Sequence, residues 1–176
     1  IVKPVTGGSS ISVFSVNTVS QALEKAKHIF NKKIDTEVVV EPFCAGKEFT
    51  VIILDNRFGM PVAIMPTEME MSYEDHQIFD YRRKYLATNQ VKYHCPPRFD
   101  NDIIEKIQIQ AEQLFKLFGL HDFARFDGWL LPDGNIWFSD FNTISGMEQN
   151  SFLFQQSSQI GMSHSDLLKY VVGSAC

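Results

Sequence analysis

Cysteine is scarce in this chain, and what there is forms no pair. Cys44, Cys95 and Cys176 stand far apart with no C-x-x-C spacing. That argues against a disulfide scaffold and a thiolate zinc site. Isolated thiols fit a reducing compartment. The histidines, His28, His76, His94, His121 and His164, show neither metal nor catalytic-base spacing and read as surface or satisfied core side chains. Basic charge is in deficit: 16 Lys and Arg face 21 Asp and Glu, a net charge of -5. Counterion release needs a basic surface, so this balance argues against a general nucleic-acid binder. No apolar run approaches the roughly 20 residues that cross a bilayer. An initiator Met and a signal-type core are missing as well. Ile1-Val2-Lys3-Pro4 reads as the middle of a protein, and a longer polypeptide is expected.

What is present has the composition of a globular domain: 176 residues, 44% hydrophobic and 21% charged. Ile1-Val2 ends a strand, and the Gly/Ser-rich stretch Val5 to Ser12 is a flexible loop. Val13 to Val16 is expected as a short strand. A helix opens at Thr18, with Val19, Ala22, Leu23, Ala26, Ile29 and Phe30 at helical period. The β-branched run Val38 to Val40 predicts a buried strand. Phe49 to Leu54 and Val62 to Met65 are further strands around a turn at Asn56 to Gly59. Thr67 to His94 is long, polar and weakly periodic, as lid loops are; within it Glu68-Met69-Glu70-Met71 reads as surface. Asp100 caps a helix with an apolar stripe from Ile103 to Phe118, which Gly119 stops. Phe123 to Leu131 and Ile136 to Phe141 form a hairpin around Pro132-Asp133-Gly134-Asn135. Short helices are expected at Phe152 to Gln159 and from Ser163 or Ser165. Without strict βαβ alternation the class is α+β, with a largely antiparallel sheet.

The hairpin carries the candidate chemistry. A symmetric turn sets Leu131 against Ile136, Asp127 against Asp140 and Arg125 against Asn142. Asp127 and Asp140 then face each other at about 5 Å between Cβ atoms, where like charges destabilise a sheet. A divalent cation reverses the sign of that interaction. Asn142 shares the face of Asp140. Two carboxylates and an amide oxygen are hard ligands suited to magnesium that keeps its waters. Arg125 beside them can hold an anion or developing negative charge. On the hairpin alone a solvent-facing strand with polar alternation is an equal reading, and a one-residue bulge would break the pairing.

Further landmarks occur in a fixed order. They are Lys3-Pro4 before Ser9-Ser10, Val38-Val39-Val40-Glu41, Gly46-Lys47-Glu48-Phe49-Thr50-Val51, Phe79-Asp80-Tyr81 with Lys84-Tyr85, and Cys95-Pro96. Ala124-Arg125-Phe126-Asp127, then Asn142, Gly146-Met147 and Ser151, and finally Gln159-Ile160-Gly161-Met162-Ser163 complete the set. In this order they resemble the D-alanine–D-alanine ligases of the ATP-grasp superfamily, along essentially the whole chain. The resemblance implies an ATP-grasp fold, incomplete at its N-terminus. Residues 1–66 would be part of the central subdomain. Residues 67–176 would be the C-terminal subdomain, with a lid at 67–94 and a metal hairpin at 123–142. The implied activity is ligation of two D-alanines through an acyl phosphate, for peptidoglycan, in the cytoplasm or a plastid stroma.

The site residues carry over from the resemblance one by one. Lys3 and Lys84 would hold nucleotide phosphates. Glu41, Pro42, Phe43 and Cys44 would read adenine, and Glu48 the ribose. Ser9 and Tyr85 would join the network that closes the lid. Arg125 would stabilise the transition state and grip the acyl phosphate. Gly146, Ser151 and Phe152 would receive the second substrate. Asp127, Asp140 and Asn142 would bind magnesium, with manganese as an alternative. The implied partners are ATP, D-alanine and an N-terminal domain in the same polypeptide, with neither nucleic acid nor membrane. A homodimer is compatible with the family. The isolated 176 residues are expected to be inactive.

The chain departs from the family pattern at several positions. Asp140 stands where Glu is usual, Ser139 where a large aliphatic packs on adenine, Ser12 in place of a phosphate-loop Gly, and Ser145 where Pro is common. Trp129 and Phe138 are bulkier than the pattern. Two alternatives therefore stay open: a degenerate, non-catalytic nucleotide-binding or interaction module, and a different ATP-grasp carboxylate–amine ligase.

Overall fold

The computed structural model describes residues 1–8, 10–56, 58–71 and 91–174. The chain groups into two compact units. One is made of Ile1–Cys44 and Met71–Lys92, the other of Ala45–Glu70 and Tyr93–Cys176. The subdomain division at residue 66 read from the resemblance falls within the second unit, between two strands that pair with the same neighbour.

In the first unit, β1 (Val2–Pro4) pairs antiparallel with β2 (Val38–Val40), setting Lys3 against Val39. Helix α1 (Val19–Asn31) packs beside them, with Thr18 Oγ1 accepting the Gln21 N–H at its start. Two expectations need correction. The strand expected at Val13 to Val16 narrows to a single bridge between Phe14 and Val2. It follows Ser12, which sits at φ 61 in the left-handed region, so the chain cannot enter an extended strand smoothly. The Val38–Val40 strand forms, but it is not a core strand: Val40 is 64% exposed. β-branched residues favour extended backbone whether or not anything covers them.

In the second unit, β3 (Lys47–Asp55), β4 (Pro61–Ala63), β5 (Thr67–Met71), β6 (Val91–His94), β7 (Phe123–Leu130) and β8 (Ile136–Asn142) build one sheet in the order β6-β5-β3-β7-β8, with β4 also on β3. The β3 pairings with β4, β5 and β7, and that of β7 with β8, are antiparallel. Side chains alternate across β3 and β7. Phe49, Val51, Ile53, Ala124 and Phe126 bury one face against α2 (Asn101–Leu117) through Ile104, Ile107, Ala111 and Phe115. On the opposite face Ile52 and Leu54 pack on α3 (Phe152–Gln159) and α4 (His164–Ser174) through Leu153, Phe154 and Leu167. The rest of that face presents Glu48, Thr50, Arg125 and Asp127, with Met69 and Trp129 beside Glu48, and carries the candidate site.

The stretch expected as one long loop, Thr67 to His94, has strands at both ends, β5 and β6. Glu68 and Met69, read as surface, are both buried. Glu68 is 2% exposed, and its carboxylate accepts from the Arg98 backbone N–H (2.9 Å), Nε (3.1 Å) and Nη2 (2.8 Å). Polar alternation marks a surface strand only when no cation from elsewhere neutralises it. Asp100 takes the N-terminal position of α2 as expected, but its side chain makes no capping bond; its backbone carbonyl accepts from Ile103 and Ile104.

Helices α1, α2 and α3 end in the same doubly bonded motif. Gly119 (φ 61) bonds back to Lys116 and Leu120 to Phe115; Gly161 (φ 81) bonds to Ser158 and Met162 to Ser157. At α1 the left-handed position is Lys33 (φ 52), bonded to Phe30, with Ile34 bonded to Ile29. A side chain is strained there and glycine is not. Lys33→Gly is therefore expected to stabilise the fold by about 0.5–1 kcal/mol, read as a higher urea midpoint. An unchanged midpoint would mean that the Lys33 side chain contributes as much as its backbone costs.

Candidate active site

The hairpin reaches the expected pairing by an unexpected route. Near the turn Leu130 pairs with Ile136 and Gly128 with Phe138, one residue off the symmetric register. The loop is longer by one residue: the Leu131 N–H donates to the Asn135 carbonyl, and the Gly134 N–H to the Leu131 carbonyl. A bulge beside Asp127 and Gly128 then absorbs Ser139 and restores Asp127 opposite Asp140 and Arg125 opposite Asn142. The cause is aromatic packing. Phe138 and Phe141 lie three residues apart, yet both contact Phe126, at 6.2 and 4.8 Å between ring centroids. Strict alternation would send one of them to the polar face. Gly128 permits the close approach: a Cβ there would lie 2.5 Å from the Trp137 carbonyl oxygen and 2.6 Å from Phe49 Cζ. The bulge thus builds the pairing that strict register would have lost.

On the polar face, Arg125 donates through Nε to Asp127 Oδ1 (3.0 Å) and through Nη2 to Asp127 Oδ2 (2.9 Å). Asn142 Nδ2 donates to the same Oδ2 (3.3 Å). Asp140 is exposed at the rim. Among the described residues no three His, Cys, Asp or Glu side chains gather closely enough to hold a metal. Two facing carboxylates with an amide fit an ion that keeps several waters, as magnesium does, and not a closed protein cage.

The start of α3 borders this face. The Phe152 ring lies 5.9 Å from Arg125 Cζ and meets the Tyr93 ring edge-on at 5.2 Å. Ser151 holds the capping position of α3, yet its side chain makes no capping bond. Its buried Oγ, like that of Ser145, has no hydrogen-bond partner among the described residues. Gly146 lies against the Glu148 carboxylate, which a Cβ would meet at 2.6 Å. Glu48 sits on β3 between Met69 and Trp129. Burial, and secondarily the Glu48 charge, push the nearby Tyr93 hydroxyl above its ordinary value.

In the other unit, Lys3 Nζ and Glu41 Oε1 form an ion pair at 2.7 Å. Pro42 and Phe43 follow exposed, and Cys44 is half-buried; burial and then the Glu41 charge push its thiol up. Asp35 anchors the entry to the Gly/Ser loop. Its Oδ2 accepts the Thr6 N–H (2.6 Å) and hydroxyl (2.9 Å), and these bonds draw its carboxyl down to about 2. Ser9, Lys84 and Tyr85 lie outside the described residues, as do His76 and Cys176.

The profile of the D-ala D-ala ligase C-terminus family matches residues 1–173. The chain belongs to that family. The D-alanine–D-alanine ligase of Pseudoalteromonas translucida is 30% identical over 168 residues, which are 96% of this chain and 51% of that protein. The chain spans about half the length of such curated relatives. Among solved structures, the VanG D-Ala:D-Ser ligase of Enterococcus faecalis superposes with a TM-score of 0.83 at 29% identity, over 99% of this chain and 49% of its own. A D-alanine–D-alanine ligase from Bacillus anthracis complexed with ATP shares the fold with a TM-score of 0.75 at 21% identity, over 98% and 50%. This α+β fold is that of the ATP-grasp ligases.

Within this ligase-family domain, Arg125, Asp127, Asn142 and Phe152 are joined by direct contacts, with Asp140 paired across the hairpin. Asp35, Arg98, Tyr93 and Gln156 were not singled out by sequence. Only Asp35 left a signal, standing before Thr36 where short polar side chains take backbone N–H groups.

Proposed function

We propose that the chain is the nucleotide-binding part of an ATP-dependent ligase that joins D-alanine to a second D-alanine, acting within a longer polypeptide. One observation carries the reading: Arg125, Asp127 and Asn142 interlock on the face that also presents Asp140 and Phe152, in a chain matched by the ligase family over residues 1–173.

Lys3 and Lys84 would bind the phosphates. Glu41, Pro42, Phe43 and Cys44 would take the adenine edge, and Glu48 the ribose hydroxyls. Asp127, Asp140 and Asn142 would hold magnesium or manganese, which neutralises phosphate charge when bound. A carboxylate oxygen of the first D-alanine attacks the γ-phosphorus and ADP leaves, giving an acyl phosphate. The amine of the second D-alanine attacks its carbonyl carbon, phosphate leaves, and the amine gives up a proton. No protein nucleophile is needed. Arg125 spreads its charge over the transferred phosphoryl group, while Ser9 and Tyr85 help exclude water under a lid. Ser151, Phe152 and the Gly146 backbone would seat the second substrate. Residues 67–94 and 123–142 are the proposed lid and metal hairpin of the C-terminal subdomain, and residues 1–66 belong to the central one. The cytoplasm, or a plastid stroma, suits the substrates.

The likeness to a D-Ala:D-Ser ligase favours a second reading, in which D-serine is the amine. Phosphate release by the full-length protein, with magnesium ATP and D-alanine alone or with D-serine, separates the two. No release in either condition would overturn both and leave a degenerate module or a ligase for other substrates. By calorimetry Asp127→Ala is expected to weaken magnesium ATP binding about 10- to 100-fold, the equivalent of one lost charged contact. Unchanged binding would remove Asp127 from the metal site.

A further inference from the structure

The β3 strand has a flaw on the side of β4 and β5. Those two strands pair with it end to end, but their registers differ by one residue. Ile53 faces Ala63, whereas Thr50 faces Thr67. The backbone of Thr50 and Ile52 lies at the step. The Gln156 side chain of α3 fills it. Its Oε1 accepts the Ile52 N–H (2.9 Å), and its Nε2 donates to the Thr50 carbonyl (3.0 Å) and to Thr67 Oγ1 (3.1 Å). Gln156 is 0% exposed, and both ends of its amide are satisfied. The amide stands in for a peptide unit of a neighbouring strand.

The two β3 residues it grips have particular partners on the other side. Thr50 pairs with Asp127, and Ile52 with Arg125. The helix that carries Gln156 begins at Phe152, whose ring lies against Arg125. We propose that Gln156 is a positioning residue: its amide clamps α3 onto the backbone opposite Asp127 and Arg125. It thereby sets the distance between the second-substrate seat, Ser151 and Phe152, and the reacting phosphoryl group. The clamp follows from geometry alone; its effect on the reaction rests on the proposed ligase function. A helix seated only by apolar contacts can slide, because those contacts are not directional. Three hydrogen bonds from one rigid amide fix both register and roll.

The test uses the full-length protein and the variants Gln156→Met and Thr67→Val. Gln156→Met keeps the volume and loses all three bonds. It is expected to raise KM for the second D-amino acid about tenfold or more, with KM for ATP held within about twofold. Thr67→Val removes only one of the three clamp bonds, so it shows the same split in smaller measure. Thr67→Ser retains the hydroxyl and restores the original KM. Hydrogen exchange reads the clamp without turnover. In Gln156→Met the Ile52 amide and the α3 amides exchange about tenfold faster, while the β7 amides do not. Equal changes in both KM values, or none, would overturn the positioning role. Unchanged exchange at Ile52 and α3 would overturn the clamp itself. If the unmodified protein releases no phosphate with any D-amino acid, the ligase reading fails, and exchange still decides the clamp.

Discussion

Arg98→Met is expected to lower the urea midpoint at pH 7, because it leaves the enclosed Glu68 carboxylate without its cation. Methionine keeps the packing of the stem, so the loss reports the guanidinium. Half of Arg98 is in solvent while Glu68 is enclosed, so the loss falls on the stranded carboxylate. Burial alone would push Glu68 up. The hydrogen bonds and charge of Arg98, with help from Lys47, outweigh it and hold the carboxyl below its ordinary 4.5. A carboxyl lowered on folding stabilises the fold above its unfolded value and ceases to as pH falls through the folded one. Without Arg98 only burial and Lys47 act, and Glu68 in the variant moves upward. The gap between the two proteins is therefore widest near neutrality and narrows as pH falls from the variant's raised Glu68 value through the lowered value of the unsubstituted protein. Urea unfolding of both at pH 7 and pH 4 measures it. A gap that stays constant between those pH values would mean that Glu68 is not the group responsible. Glu70 contributes to the same network, bonding His94 Nε2 at 2.8 Å and Arg98 Nη1 at 3.2 Å.

This network shows what the sequence could not reveal. Helices α1 and α2 were legible because their signals are local: a cap and an apolar stripe, and for α2 a glycine stop, lie within one segment. The two strands of the hairpin were legible for the same reason, but their register near the turn was not: Leu130, not Leu131, faces Ile136, and a bulge restores Asp127 opposite Asp140. Glu68 was misread because its neutralising partner lies 30 residues away, beyond any periodic pattern. Gln156 was invisible because a glutamine in a helix looks solvated until the sheet it touches is known. Its partners, Ile52 and Thr50, are 104 and 106 residues distant. A one-residue bulge, expected to break the pairing, instead restores it at Ser139. Its sense depended on where two phenylalanines could be buried, a question of packing that alternation cannot answer. Among the proposed site residues, the family motifs singled out Arg125, Asp127 and Asn142. Their hydrogen bonds, and the ring of Phe152 beneath the guanidinium, came only with the fold.

On the proposed mechanism, Arg125→Ala in the full-length protein lowers kcat about 10²- to 10³-fold, the loss typical of one preorganised donor to a developing anion. The dissociation constant of magnesium ATP should change far less. A contact made mainly in the transition state appears in kcat and not in ground-state binding. Preorganisation here has visible causes. Asp127 holds both Nε and Nη2, which fixes the plane of the guanidinium, and Phe152 lies against it. A side chain so held loses little freedom when the phosphoryl group arrives. Arg125→Lys retains the charge but cannot make the fork, so it should recover only part of the loss. Arg125 and Asp127 are mostly enclosed, so Arg125→Ala also strands the Asp127 charge. An unfolding curve run alongside separates that cost from the kinetic one. If Arg125→Lys restores full turnover, charge alone suffices and the fork has no kinetic role. If Arg125→Ala turns over normally while losing stability, the pair is structural, and the phosphoryl group must be served by another cation.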